Sequence, residues 1–388
     1  MKKILFVNGH LNSGGVEKSL VNLLNVLDYT KYDVDLLLFE GYGEYLDQIP
    51  KAVNIISCDL RNTYGSVISV IKKSLKKHYF KTIIYKVILT MCSKISLKSM
   101  KLFKLMNITD SYYDYAIAYR VGICTDYVSF CVKAQKKYMW WHHGEFDYTE
   151  EQVKNWRVSL ENIDQIVCVS ESSKKLITPY FPKHANRMSV IPNILDIEEI
   201  KKKSKEFNPY DVSDKKIIVS VGRLSPEKMM INAVFAMDNL VKQGYESVKW
   251  YLIGDGQERE IIEKEIRKRK LESFIVCVGS QKNPYPYISN ADFYVHTSYV
   301  ESQGISVLEA MALEKCGVVT RSRGVEEFII DGENSLLAEQ TVDSLVDKIR
   351  IILDDLSILD KIKKNQLATA KLYKYDKIVR KLEALFET

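Results

Sequence analysis

No C-x-x-C pair occurs in this chain. Its seven cysteines, at positions 58, 92, 124, 131, 168, 277 and 316, are scattered, a spacing that indicates neither a zinc ribbon nor a disulfide framework and fits a reducing cytoplasm. Long hydrophobic runs are missing too. No stretch is apolar for long enough to span a membrane, and the apolar run in Met1-Lys-Lys-Ile-Leu-Phe-Val-Asn8 is too short for a signal peptide. Acid is absent from one interval: between Asp59 and Asp110 there is neither aspartate nor glutamate, while ten lysines fall between Lys72 and Lys104. Aromatic and aliphatic residues interleave with these lysines, a pattern compatible with basic amphipathic helices. Such a face suits an anionic membrane surface, at roughly 1 kcal/mol per lysine near the leaflet. Core-packing helices and a nucleic-acid patch are the other readings of the same pattern; the membrane surface is the partner expected here, with no nucleic acid.

What is present is enough for a large core. The chain has 388 residues, 46% of them hydrophobic, and a formal net charge of +6, which suggests two domains or one large one. Strand and helix patterns alternate throughout, as in doubly wound α/β domains. Lys3 to Asn8 reads as a strand buried on both faces, followed by Gly9-His-Leu-Asn-Ser-Gly-Gly-Val-Glu17 and an amphipathic helix to about Leu27. The glycines do not make G-x-G-x-x-G, so no dinucleotide fingerprint is read. Gly14 and Gly15 serve either a turn with positive φ or the approach of a ligand to the backbone. Asp33 and Asp35 form an Asp-x-Asp pair, but they begin a strand instead of ending one at a site, and are read as surface caps. No metal is assigned. His142 and His143 end the strand Lys137–Trp141, where open α/β sheets place ligands.

A lysine-rich polar stretch from Ile197 to Lys216 separates this half from the strand Ile217-Ile-Val-Ser-Val-Gly-Arg223. Gly222-Arg-Leu-Ser-Pro-Glu-Lys228 then places two cations at a strand end, a clamp suited to a diphosphate. Further on, Asp292 to Ser298 reads as a short strand, and Glu301-Ser-Gln-Gly-Ile-Ser-Val-Leu-Glu309 as a turn entering a helix near Ile305. The first helical turn directs the free N–H groups of Gly304, Ile305 and Ser306 outward, which makes a phosphate site.

The segment Glu301 to Glu309 resembles the E-x7-E element of the retaining family 4 glycosyltransferases, the glycosyl transferases group 1. Asn12 to Glu17, His142-His143-Gly144, Val190-Ile-Pro-Asn193, Gly222 to Lys228 and Leu252-Ile-Gly-Asp-Gly256 resemble that family's other motifs in order. The resemblance implies a GT-B fold: two doubly wound Rossmann-like domains facing each other across a cleft, an acceptor-side domain over 1–196, a donor domain over 197–371, and a last helix over 372–388 returning to the first. It implies that Glu301 lies beside the donor sugar and Glu309 on its ribose. Gly15, Gly222, Arg223, Lys228, Gly254, Gly279, Gln303, Gly304, Ile305 and Ser306 would line the rest of the donor site. Asn12, Ser13 and Gly14 would face the acceptor, and His142 or His143 the donor sugar. Arg223 and Lys228 would neutralise the leaving group. No cofactor is implied beyond a nucleotide-sugar co-substrate, UDP-linked by preference. The acceptor expected is a lipid-linked or polysaccharide hydroxyl in bacterial envelope synthesis, at the inner face of the cell membrane. Ser302, Met229 and Ile194 depart from the family's usual residues, and a non-catalytic nucleotide-sugar-binding partner subunit is the alternative function.

Overall fold

Burial along the strands shows why the chain layers as it does. In the computed structural model, which describes residues 1–12, 14–57, 108–211 and 215–387, the strand Lys216–Val221 sends Ile218 to one buried cluster and Ile217 and Val219 to another. A strand apolar on both faces needs a helical layer on each. The Lys72–Lys104 stretch and Ser13 lie outside the described residues. Among those described, no helix is long and apolar enough to cross a membrane.

The chain divides into two compact units, residues 1–192 with 379–388, and residues 193–378. In the first unit the described strands are β1 (Lys2–Asn8), β2 (Tyr32–Leu38), β3 (Asn54–Ser57), β4 (Tyr112–Ala118), β5 (Lys133–Trp141), β6 (Gln165–Cys168) and β7 (Met188–Val190). They form one parallel sheet in the order β3-β2-β1-β4-β5-β6-β7. Leu5, Val7, Ala116, Ala118, Met139 and Trp141 pack with residues of the helices Ile123–Phe130 and Glu150–Leu160. On the opposite pleat Tyr115 stacks on Phe386 of the final helix Tyr375–Glu387, with centroids 4.2 Å apart and planes 8° from parallel.

The second unit holds β8 (Lys216–Val221), β9 (Val248–Ile253), β10 (Ile275–Gly279), β11 (Phe293–His296), β12 (Cys316–Thr320) and β13 (Leu336–Ala338), all parallel in the order β10-β9-β8-β11-β12-β13. The helices Ile231–Lys242 and Val342–Asp354 cover one face, and Ile305–Ala312 lies on the other. Each large apolar side chain buried here, such as Ile218 or Leu252, contributes about 1.5–3 kcal/mol by leaving water. In both sheets the chain order reverses beside the first strand, between β1 and β4 and between β8 and β11. Ligands of doubly wound sheets bind at the carboxyl ends of strands flanking such a reversal.

Two expectations need correction. Asp35 is not a surface cap: it is 4% exposed, accepts hydrogen bonds from Tyr113 Oη and Asn54 Nδ2, both at 2.7 Å, and has Lys3 Nζ at 3.5 Å. A carboxylate pointing inward from a strand is tolerated because its lone pairs are filled. The strand ending at Trp141 begins at Lys133, four residues earlier than read, because its first residues are polar and partly exposed and so carry no burial pattern.

Candidate functional site

In the second unit, the turns after β8 and β9 are pressed together. Gly254 has φ 143, and a Cβ there would lie 1.8 Å from the Gly222 carbonyl oxygen; one on Gly256 would lie 2.3 Å from that of Leu224. Gly222 N–H donates to Ile253 O at 3.0 Å and Leu224 N–H to Asp255 O at 3.0 Å. The chain then makes a short 3-10 turn, Pro226–Lys228, and Met229 follows at φ 46. That left-handed conformation costs a non-glycine residue about 1–2 kcal/mol.

Arg223 and Lys228 emerge from this turn differently. Arg223 is exposed, and its guanidinium has no hydrogen-bond or ion-pair partner among the described residues. Lys228 Nζ lies 2.5 Å from Glu301 Oε1. Thr297 Oγ1 donates to Lys228 O at 2.8 Å and Tyr299 N–H to Glu227 O at 3.1 Å, so the loop after β11 is fastened to the loop after β8. Gly324 runs beneath it: a Cβ there would sit 2.5 Å from the Glu301 carbonyl oxygen and 2.6 Å from the Ser302 carbonyl carbon.

Glu301 is 9% exposed. Burial pushes its carboxyl up, but the Lys228 charge and His296 outweigh burial and hold it well below the usual carboxylate range. It is therefore an ionised, nearly dry carboxylate. His296 Nε2 lies 3.0 Å from Glu301 Oε1, too obliquely to complete a hydrogen bond. The histidine's Nδ1 is 3.1 Å from Tyr294 Oη, which in turn is 3.1 Å from Ser306 Oγ.

The helix Ile305–Ala312 is entered through Gly304 at φ 76, a left-handed position that glycine occupies without strain. Gly304 O receives the N–H groups of Val307 at 3.1 Å and Leu308 at 3.2 Å. The N–H groups of Gly304, Ile305 and Ser306 have no acceptor among the described residues. With glycine at the cap, no side chain competes for them, and the positive end of the helix dipole adds to their pull on an anion. Glu309, 3% exposed, accepts from Tyr285 Oη at 3.0 Å. Gly279 ends β10 at φ 86. Gln303 is 2% exposed, and its Oε1 accepts from both the backbone N–H and Nδ2 of Asn193 at 2.8 Å. Its side chain therefore holds the loop in place.

In the first unit, Gly14 precedes the helix Gly15–Val26 with an extended backbone, φ 176. Gly15 is not at positive φ, and a Cβ there would meet nothing within 4 Å. A left-handed turn does not explain either glycine. Asn12 N–H donates to His10 Nδ1 at 3.3 Å. Glu17, 3% exposed, pairs with Arg120 Nη1 at 3.0 Å, and His10 Nδ1 lies 3.9 Å from it. His142 and His143 follow β5. Burial, with the charges of His143 and Arg120 adding to it, holds His142 down at about 3; burial and Arg120 hold His143 at about 4. Both rings are neutral near neutrality. His142 Nε2 is buried without a hydrogen-bond partner among the described residues.

Sequence reasoning passed over His296, Tyr294 and Tyr285 beside the glutamates, and His10, Glu17 and Arg120 in the first unit. One signal was available for His296: a histidine closing an otherwise apolar strand five residues before Glu301.

Residues 199–368 match the family Glycosyl transferases group 1. Among curated proteins, alpha-monoglucosyldiacylglycerol synthase of Acholeplasma laidlawii is 24% identical over 214 residues, 53% of this chain and 53% of its own length. Poly(ribitol-phosphate) alpha-N-acetylglucosaminyltransferase of Staphylococcus aureus is 26% identical over 213 residues, 54% of this chain and 41% of its own. The chain thus spans about half the length of these relatives or less. An alpha-1,4-N-acetyl-D-galactosaminyltransferase of Campylobacter jejuni that acts on a diNAcBac-PP-undecaprenol glycan is 22% identical over 361 residues, 92% of this chain and 90% of that one. Solved structures match from end to end: Anabaena HepE in complex with UDP and glucose, at TM-score 0.74, 17% identity and 100% of both chains, and S. aureus TarM in complex with UDP, at TM-score 0.74, 15% identity and 100% of both chains. The fold is GT-B, that of the glycosyltransferases it resembles.

Proposed function

We propose that this protein is a retaining, metal-independent glycosyltransferase that moves a hexose from a UDP-sugar to a hydroxyl of a lipid-linked or polysaccharide acceptor in bacterial envelope glycan synthesis. The observation that carries the reading is the grouping, at the ends of β8 and β11, of the Lys228–Glu301 pair with three open amides at Gly304, Ile305 and Ser306. Such a grouping suits a sugar diphosphate. The amides and Lys228 take the phosphates, exposed Arg223 adds a second cation, and Glu301 offers its Oε2 to a sugar hydroxyl. Glu309, one turn further in, is assigned to the ribose. Charge building on the departing diphosphate is met by fixed donors, which cost no reorganisation when the bond breaks.

In this reading the leaving phosphate oxygen takes the acceptor's proton on the face it departs from, and the anomeric configuration is kept. Three relatives named for alpha products support retention, since UDP-hexoses are themselves alpha-linked. UDP in the HepE and TarM structures supports the base. His142 or His143, Gly15 and the residues Asn12 to Gly14 are assigned to the donor sugar and acceptor. The lysines from 72 to 104 are assigned to the anionic inner face of the membrane; retention on anionic liposomes, lost when those lysines are neutralised, is the expected result. The deciding experiment is a panel of UDP, GDP and ADP sugars scored for slow hydrolysis and thermal stabilisation, with the released anomer read by NMR. Turnover of a UDP-hexose with an alpha product is expected. No stabilisation and no turnover with any donor would overturn the proposal.

A further inference from the structure

Glu301 Oε1 has two basic neighbours, and they are unequal. Lys228 Nζ stands at 2.5 Å, whereas His296 Nε2 stands at 3.0 Å and misses a hydrogen bond on angle alone. His296 is 2% exposed, so that nitrogen has no water to turn to, and a buried polar atom without a partner is costly to keep. Its ring is already fixed from the other side. Nε2 faces an ionised carboxylate at 3.0 Å, a position for an N–H donor, while Nδ1 lies 3.1 Å from Tyr294 Oη. Burial pushes the Tyr294 phenol up, so it remains a hydroxyl.

We infer that His296 is a positioning residue for Glu301: it takes over Oε1 when Lys228 turns toward the donor's diphosphate. The inference rests on reading residues 222–228 and 301–309 as the donor site. The Lys228 ammonium cannot give the same N–H to a carboxylate and to a phosphate. When it turns away, a small rotation of the carboxylate toward Nε2 completes the hydrogen bond that is oblique here. Glu301 then stays ionised with its Oε2 still directed to the sugar. Ser306 Oγ, 3.1 Å from Tyr294 Oη, joins the same chain of contacts to the helix start where the phosphates are assigned.

Two isosteric substitutions separate this role from simple packing. His296→Gln places an amide N–H where Nε2 stands; His296→Asn keeps a polar group for Tyr294 and drops the donor toward Glu301. With the UDP-sugar that the wild type turns over, His296→Asn is expected to lose about 10- to 100-fold in kcat with KM within about threefold, and His296→Gln to recover to within about threefold of wild type. UDP binding, measured by calorimetry, should be unchanged in both. Equal kcat in the two variants would overturn the inference. Should His296→Asn fail to bind UDP through misfolding, Tyr294→Phe decides: a kcat loss with unchanged UDP affinity supports the role, and full kcat overturns it. A wild type that binds and turns over no nucleotide sugar would overturn the glycosyltransferase reading and this inference with it, whereas an active wild type with two equally active variants overturns this inference alone.

Discussion

Gln303 Oε1 accepts two hydrogen bonds from one residue, the backbone N–H and the Nδ2 of Asn193, each 2.8 Å long and joining positions 110 residues apart in sequence. Both side chains are buried. Replacing Gln303 by alanine takes the shared acceptor from both donors, at about 0.5–1.5 kcal/mol for each hydrogen bond lost. Gln303→Ala is expected to unfold at clearly lower urea, and Gln303→Glu, which keeps the acceptor, to lose less. Equal losses in the two variants would show that the acceptor is not what matters.

Arg223 is the opposite case. It is exposed and its side chain has no partner among the described residues, so removing that side chain should change stability by no more than about 0.5 kcal/mol. Turnover should fall by about 100-fold or more, the scale seen when a fixed donor to a developing charge is lost. Undiminished activity in Arg223→Ala would remove this residue from the leaving-group site.

At Gly324 a single methyl tests the loop carrying Glu301. The added carbon would lie 2.5 Å from Glu301 O and 2.8 Å from Gln303 N, both backbone atoms that no rotamer change can move aside. Gly324→Ala is expected to shift this loop and weaken nucleotide-sugar binding by about tenfold, or about 1.4 kcal/mol. Titration calorimetry measures it; wild-type affinity would mean the loop yields without consequence.

Acid should loosen the first unit through His142. Its folded value, about 3, lies below the ordinary value of 6.5, so the unfolded chain takes up the proton first. The stability this neutral ring contributes is whole above about pH 6.5 and drains away as pH falls toward about 3, at up to about 1.4 kcal/mol per pH unit. Urea titrations at about pH 7 and about pH 5, followed by tryptophan emission, should show a smaller pH effect in His142→Gln than in wild type. Of the four tryptophans, Trp140, Trp141 and Trp156 lie in the first unit and Trp250 in the second, so the signal reports chiefly on the right part of the chain.

Local signals in the sequence were enough where one element decides the outcome. The apolar run ending in Gly222 marked β8 and its turn, and Gly304 ahead of Ile305 marked a helix entrance with open amides. Pairings between distant segments were not legible: nothing near Gln303 names Asn193, and nothing near Glu17 names Arg120. His296 was hidden for a different reason, since a histidine closing an apolar strand looks like any other core residue until its neighbour is known to be a buried carboxylate. Asp35 misled because its partners, Tyr113 and Asn54, sit on other strands. Met229 could be seen as a departure from glycine, but only the backbone shows that the position demands φ 46.

The first unit takes its main body from residues 1–192 and its last piece from residues 379–388, where Phe386 covers Tyr115 and the Tyr115 hydroxyl donates to Phe386 O at 2.8 Å. During synthesis the ribosome makes that main body early, and at about 5–20 residues per second the missing helix follows only after the whole second unit has been translated. For those tens of seconds the aromatic face around Tyr115 and Tyr138 has no lid of its own, so the unit begun first is the last to be finished, and a nascent chain stalled anywhere in the second unit is a natural client for a chaperone.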